Sequence, residues 1–142
     1  MKRTIYMLVG SPGTGKSYVA EHLKNEFEYI PHDGEGFYGG AKYLQEINKK
    51  SLTAKRPLLI ETPFSMSQLK EPLEKQGHKV IPVFIQESER TVALRYHARG
   101  KLMPAGFEAR QRTYAERAKA GGHFQGTSEQ VLQHLKKIAR GA

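Results

Sequence analysis

Eight residues, Gly10-Ser11-Pro12-Gly13-Thr14-Gly15-Lys16-Ser17, constrain this chain more than any other stretch. They match without exception the spacing of a glycine, four residues, then Gly-Lys-Ser/Thr. The flanks are those the spacing requires. Thr4-Ile5-Tyr6-Met7-Leu8-Val9 is an apolar run of strand formers that delivers the backbone to Gly10. From Lys16 to about residue 28, Val19, Ala20, Leu23 and Phe27 recur at helical spacing and form one apolar stripe. Between strand and helix the glycines let the backbone curl so that successive N–H groups converge, and the helix start adds its positive end. Such a nest of donors suits a polyphosphate, and a glycine turn that only connected two elements would not need Lys-Ser at this offset. Lys16 is placed to reach the β- and γ-phosphate oxygens of ATP or another nucleoside triphosphate, and the Ser17 hydroxyl to serve as one Mg²⁺ ligand. Gly10 to Tyr18 is therefore the candidate nucleotide site.

The rest of the chain alternates strand and helix patterns. Tyr29-Ile30-Pro31 predicts a short second strand, and Pro31-His32-Asp33-Gly34 a turn. Residues 41–50 predict a helix with Tyr43, Leu44 and Ile47 on one side, and Leu58-Leu59-Ile60-Glu61-Thr62 a strand stopped by Pro63. Residues 65–76 predict a helix ended by Gly77, and residues 79–85 a strand in which Pro82 demands an edge position or a bulge. Residues 88–99 and 107–119 predict helices around a loop at 100–106. Thr127-Ser128-Glu129-Gln130 resembles a capping box before a last helix carrying Val131, Leu132, Leu135 and Ile138. This order implies an α/β fold of three layers, α/β/α, with a small parallel sheet. At 142 residues a single domain over 1–142 is expected. The absence of cysteine excludes disulfides, thiolate metal sites and cysteine nucleophiles. No apolar run approaches the roughly 20 residues that span a bilayer, and the N-terminus has no signal-peptide pattern, so no membrane association and a cytoplasmic location are expected.

Charge is distributed unevenly. Residues 1–89 hold 12 Lys/Arg against 11 Asp/Glu, whereas residues 90–142 hold 11 against 3, so almost all of the net +9 lies in the C-terminal part. Arg90, Arg95, Arg99, Lys101, Arg110, Arg112, Arg117 and Lys119 cluster there. The alternatives are a solvated basic surface and a face that meets phosphates.

On its phosphate loop, size and element order, the chain resembles the P-loop NTPase superfamily, and within it the P-loop kinases. Over roughly residues 4 to 120 it is most similar to the kinase domain of phage polynucleotide kinase and its relatives. That resemblance implies that Asp33, after the second strand, is the general base that orients an attacking hydroxyl and takes its proton. An Asp-Gly turn bonding its own backbone is the rival reading, and Glu35 is a weaker alternative base. Where the family carries an arginine that grips substrate phosphate, this chain has Gly34-Glu35-Gly36-Phe37-Tyr38. Glu61 falls where such strands end in an acidic residue facing Mg²⁺ or its water shell, with a plain strand-end charge as the alternative. Thr62 is a candidate substrate contact. Arg95 and Arg99, four apart and followed by Gly100-Lys101, resemble the arginines of a kinase lid at about 95–106, which would neutralise the transferring phosphoryl group and exclude water. Arg90 and Lys101 are supporting candidates. Arg110, Tyr114 and Arg117 share one predicted helix face suited to acceptor phosphates or to a stacked base, or equally to a surface helix. Phe37, Tyr38 and Tyr43 suit either an acceptor wall or the core.

These readings predict an ATP- and Mg²⁺-dependent kinase that phosphorylates a nucleic-acid hydroxyl, either a DNA 5′ end or a hydroxymethylated base. A kinase of nucleoside monophosphates or other small molecules is the second expectation. A nucleotide-dependent binding or switch module is the third.

Overall fold

Alternating burial along the central strand sets the architecture. In β1 (Thr4–Val9), Ile5, Met7 and Val9 face one side of the sheet and Leu8 the other, all four essentially inaccessible. The computed structural model describes residues 3–11, 13–31, 40–62 and 67–141. Within these the elements follow as α1 (Lys16–Glu21), β2 (Glu28–Ile30), α2 (Gly40–Thr53), β3 (Leu58–Thr62), α3 (Ser67–Lys75), β4 (Lys79–Ile85), α4 (Glu89–Ala98), α5 (Phe107–Gly121), β5 (Gln125–Gly126) and α6 (Ser128–Gly141). The strands form a sheet in the order β2-β3-β1-β4-β5, with every pairing parallel.

Two apolar layers cover the sheet. Ile5, Met7, Ile60 and Phe84 pack with Tyr43 and Ile47 of α2, Leu69 and Leu73 of α3 and Ala118 of α5. On the other side Leu8, Leu59, Val83 and Ile85 pack with Val19 and Ala20 of α1 and Val131, Leu132 and Leu135 of α6. The expected three-layer arrangement is the observed one. Among the described residues no helix is long and apolar enough to cross a membrane.

The helix predicted over 16–28 ends at Glu21, because beyond it the bonds tighten to three-residue spacing, Leu23 N–H to Ala20 O and Glu26 N–H to Leu23 O. Leu23 and Phe27 nevertheless stay fully buried, so the apolar stripe survives the change of winding. The capping box forms reciprocally, with Thr127 N–H donating to Gln130 Oε1 at 2.9 Å and Gln130 N–H to Thr127 Oγ1 at 3.2 Å. The edge strand expected from Pro82 is not observed, since β4 lies between β1 and β5, but Pro82 itself pairs only with β1 and precedes the two residues that pair with β5. The N–H groups of Phe84 and Gln86 both donate toward β5, so position 82 points its missing N–H the same way, just before β5 begins. The two-residue β5 is an element that the sequence pattern did not predict.

Candidate active site

The carboxyl edge of a parallel sheet is where its loops can gather ligand groups, and the chemistry-bearing residues of this chain collect there. Gly10 follows β1, Glu61 lies near the end of β3, Glu87 follows β4, and Thr127 and Ser128 follow β5. The loop after β1 curls tightly: both the N–H and the Oγ1 of Thr14 donate to Ser11 O, at 3.3 and 2.7 Å. Gly13 and Gly15 have φ of +85° and +104°, conformations that side chains with a Cβ disfavour.

These two glycines are also required by their neighbours. A Cβ at Gly13 would lie 2.7 Å from the Tyr96 ring of α4, and one at Gly15 would lie 3.0 Å from Ser128 Cβ. A Gly13→Ala variant is therefore expected to lose about 1–2 kcal/mol from its backbone conformation alone, with the Tyr96 contact added. Chemical denaturation should show a lowered midpoint, and Gly13→Ala with Tyr96→Leu should recover part of the loss.

Lys16, at the start of α1, donates its Nζ to Gly10 O at 2.9 Å, so the side chain already lies back over the loop. Burial lowers its amine from the ordinary lysine value, and the charge of Glu61 pulls it partly back up. Glu61 pairs in register with Leu8, on the side of the sheet that carries α1. The Tyr29 hydroxyl donates to Glu61 Oε2 at 2.8 Å, and the Glu61 N–H donates to Tyr43 Oη at 3.2 Å. Tyr43 in turn donates to Ile30 O at 2.6 Å. Both phenols are held well above the usual tyrosine range, chiefly by burial and also by the charge of Glu61. Each therefore stays a neutral donor, and Glu61 is fixed from two sides.

A cavity of about 700 Å³ opens beside the loop, lined by Gly13, Gly15, Lys16, Ser17 and Tyr18 on one side and by Arg95, Arg99 and residues 127–129 on the other. Ser17 is exposed, while the Tyr18 ring lies tilted against His22 with ring centroids 4.3 Å apart. Hard oxygen donors from Ser17 and Glu61 fit Mg²⁺. Among the described residues no group of three or more His, Cys, Asp or Glu side chains is placed to hold a metal ion.

Arg95 and Arg99 both line this cavity. Arg95 does so as part of a network. Its Nη1 donates to Gly13 O at 2.9 Å, and its Nη2 lies 3.7 Å from Glu87 Oε1. That same oxygen accepts from Ser128 N–H at 2.8 Å and from Ser128 Oγ at 2.9 Å. The Glu87 backbone exchanges two bonds with the Gln111 side chain, which ties in α5. The sequence pattern does not single out Glu87 or Gln111, and it marks Ser128 only as part of a helix cap. The signal that finds Glu87 is its place two residues beyond a buried parallel strand.

The remaining candidates divide. Residues 95–98 are helix, so the irregular connection between α4 and α5 runs from 99 to 106, shorter than the expected lid. Arg110 and Tyr114 do not line the cavity. The Tyr114 ring packs on Phe84 at 6.3 Å against the core, and Arg110 donates to Ala105 O at 3.0 Å, bracing the loop before its own helix. Tyr43 belongs to the core. Pro12, His32, Asp33, Glu35, Phe37, Tyr38 and Pro63 lie outside the described residues, as does the side chain of Thr62.

The sheet order, the loop after β1 and the helical layers define the P-loop kinase fold. Comparison with solved structures agrees across nearly the whole chain. The Deinococcus radiodurans tunicamycin resistance protein superposes with a TM-score of 0.68 at 16% identity, covering 97% of this chain and 95% of that one. A gluconokinase from Sinorhizobium meliloti 1021 gives 0.58 at 19% identity over 98% and 94%. Shikimate kinase from Acinetobacter baumannii gives 0.54 at 18% identity over 97% and 93%. No family model matches the chain, and no curated protein matches it significantly.

Proposed function

We propose that this protein is a Mg²⁺-dependent phosphotransferase that moves the γ-phosphoryl group of ATP, or of another nucleoside triphosphate, to a hydroxyl. The observation that carries this reading is Lys16, which lies over the curled loop and lines a cavity large enough for a nucleotide. The neighbours whose names record kinases of gluconate and shikimate support the same class of reaction. The hydroxyl oxygen attacks the γ-phosphorus, its proton passes to the Asp33 carboxylate, and the bond to the β-phosphate oxygen breaks to release the nucleoside diphosphate. Lys16 offsets the charge on the transferring oxygens, while Ser17 and Glu61 would hold Mg²⁺ or its waters. When bound, the ion supplies further neutralisation of the phosphates.

For the acceptor we favour a nucleic-acid hydroxyl, at a DNA 5′ end or on a hydroxymethylated base, as the resemblance to polynucleotide kinases implies. Arg90, Arg99, Lys101, Arg112, Arg117 and Lys119 are exposed, which supports a polyanionic partner. A small acceptor is the second reading. It is favoured by Arg95, whose guanidinium is held by Gly13 O and lies beside the Glu87 carboxylate, which offsets one cation of the basic cluster.

Incubation with γ-labelled ATP and a panel of DNA, RNA, base-hydroxymethylated DNA, mononucleotides and small polyols decides between them by which molecule acquires label. Label on none of these, with ATP bound, would remove the phosphotransferase reading in favour of a nucleotide-dependent switch module. An Asp33→Asn variant is expected to bind ATP normally and to transfer nothing. Loss of nucleotide affinity in that variant would instead make Asp33 structural.

A further inference from the structure

Helix α4 is basic on two sides, and only one of them faces the nucleotide. Arg95 and Arg99 line the nucleotide cavity. Arg90, Leu94 and His97 fall four and three residues apart, which places them on the other side of the helix. The end of α4 then folds the chain back beside that stripe. Gly100, at φ +70°, donates its N–H to His97 O at 2.9 Å, and Lys101 N–H returns to Tyr96 O at 2.9 Å, the paired bonds of a glycine-terminated helix. Lys101, Leu102 and Met103 are thereby held next to Arg90, Leu94 and His97, and together they line a shallow, open cleft on the surface.

This cleft has an unusual surface. No carboxylate lines it. Among the described residues Arg90 and Lys101 form no ion pair, unlike Arg95. Leu94 and Leu102 are 59% and 93% exposed, beside those cations. A leucine so open between unpaired charges is suited to a partner that is anionic along one edge and apolar along another. Single-stranded nucleic acid has this character, since its phosphates take up the cations and its bases lie on apolar side chains. A small acceptor confined to the active site would make no use of the outer side of α4. A polymer whose terminal or modified nucleotide reached the transferring phosphoryl group would have its remaining length outside the active site.

We propose that Arg90, Leu94, His97, Lys101 and Leu102 form the track on which the single strand carrying the acceptor hydroxyl runs outside the active site. The proposal rests on the nucleic-acid reading of the acceptor given above. Binding of a short fluorescein-labelled single-stranded oligonucleotide, followed by anisotropy over a salt series, tests it without phosphotransfer. The Arg90→Gln/Lys101→Gln double variant is expected to lose about 1.4 from the log–log salt slope, about 0.7 for each phosphate contact, and to bind at least tenfold more weakly at low salt. Leu102→Ser should weaken binding about threefold while keeping the slope. Lys49→Gln/Lys75→Gln, which removes the same charge from exposed positions elsewhere, should match the wild type. Thermal unfolding of each variant serves as the check on folding.

A double variant that folds and keeps the wild-type slope and affinity overturns the track, and it leaves the acceptor reading intact if the wild-type enzyme labels DNA. A wild type that binds no oligonucleotide and labels only small acceptors overturns both. A polyglutamate peptide that displaces the oligonucleotide at lower concentration would also overturn the track, by making the cleft a site for acidic protein.

Discussion

A Lys16→Ala variant is expected to lose phosphotransfer turnover by about two to three orders of magnitude, the usual effect of removing one preorganised charge from the transition state. The preorganisation is visible in the position of Nζ, which lies 2.9 Å from Gly10 O and is anchored to the loop that would hold the phosphates. A triphosphate has only to replace that carbonyl by its own oxygens, a short exchange that leaves the side chain in place. The depressed basicity of the amine has the same origin, since partial removal from water weakens the charged form until an anion arrives. Lys16→Arg should recover little, because a planar guanidinium cannot take the place of a compact ammonium in so tight a loop. Turnover measured at saturating ATP, beside ATP affinity measured by calorimetry, separates the two roles. Turnover within a few-fold of wild type would remove Lys16 from the chemistry.

The parts of this molecule that were legible in the sequence are those encoded by neighbouring residues. Gly10 to Ser17 carry their own geometry, and the spacing of Val131, Leu132 and Leu135 predicts a helix face that is buried as expected. The Thr127 and Gln130 cap is local too, both partners lying within one turn. Illegible features required contacts between distant segments. Nothing near Arg95 indicates that it would bond to Gly13 O, 82 positions earlier, or approach Ser128 Oγ, 33 positions later. Its spacing from Arg99 predicts the shared face but not the engagement of the guanidinium. Tyr114 was misleading in the same way, since a helical period places it with Arg110 and Arg117 while the core claims its ring. The strand β5 was hidden because it is only two residues long and its pairing depends on where β4 has already been placed.

Glu87 is the position at which such long-range dependence should be costliest to disturb. A Glu87→Ala variant is expected to lose about 3 kcal/mol of stability, near the lower bound for breaking a buried ion pair, because Arg95 remains one-third exposed and water can partly replace its partner. Ser128 suffers more directly. Both its N–H and its Oγ donate to the same carboxylate oxygen at the buried start of α6, and Ala supplies no acceptor for either. With those bonds gone, Ser128 is no longer held against Gly15, and Arg95, which bonds Gly13 O, loses its counter-charge. The phosphate loop is then looser on two sides, so the Michaelis constant for ATP should rise about tenfold while turnover falls less. Glu87→Gln should separate these contributions, since its carbonyl oxygen can still accept from Ser128 but leaves Arg95 without a counter-charge. An intermediate loss of stability is therefore expected. A double-mutant cycle pairing Glu87→Gln with Arg95→Met should return a coupling energy of about 1 kcal/mol or more. Additive effects, together with an unchanged Michaelis constant, would mean that Glu87 holds α6 in place and leaves the nucleotide loop to itself.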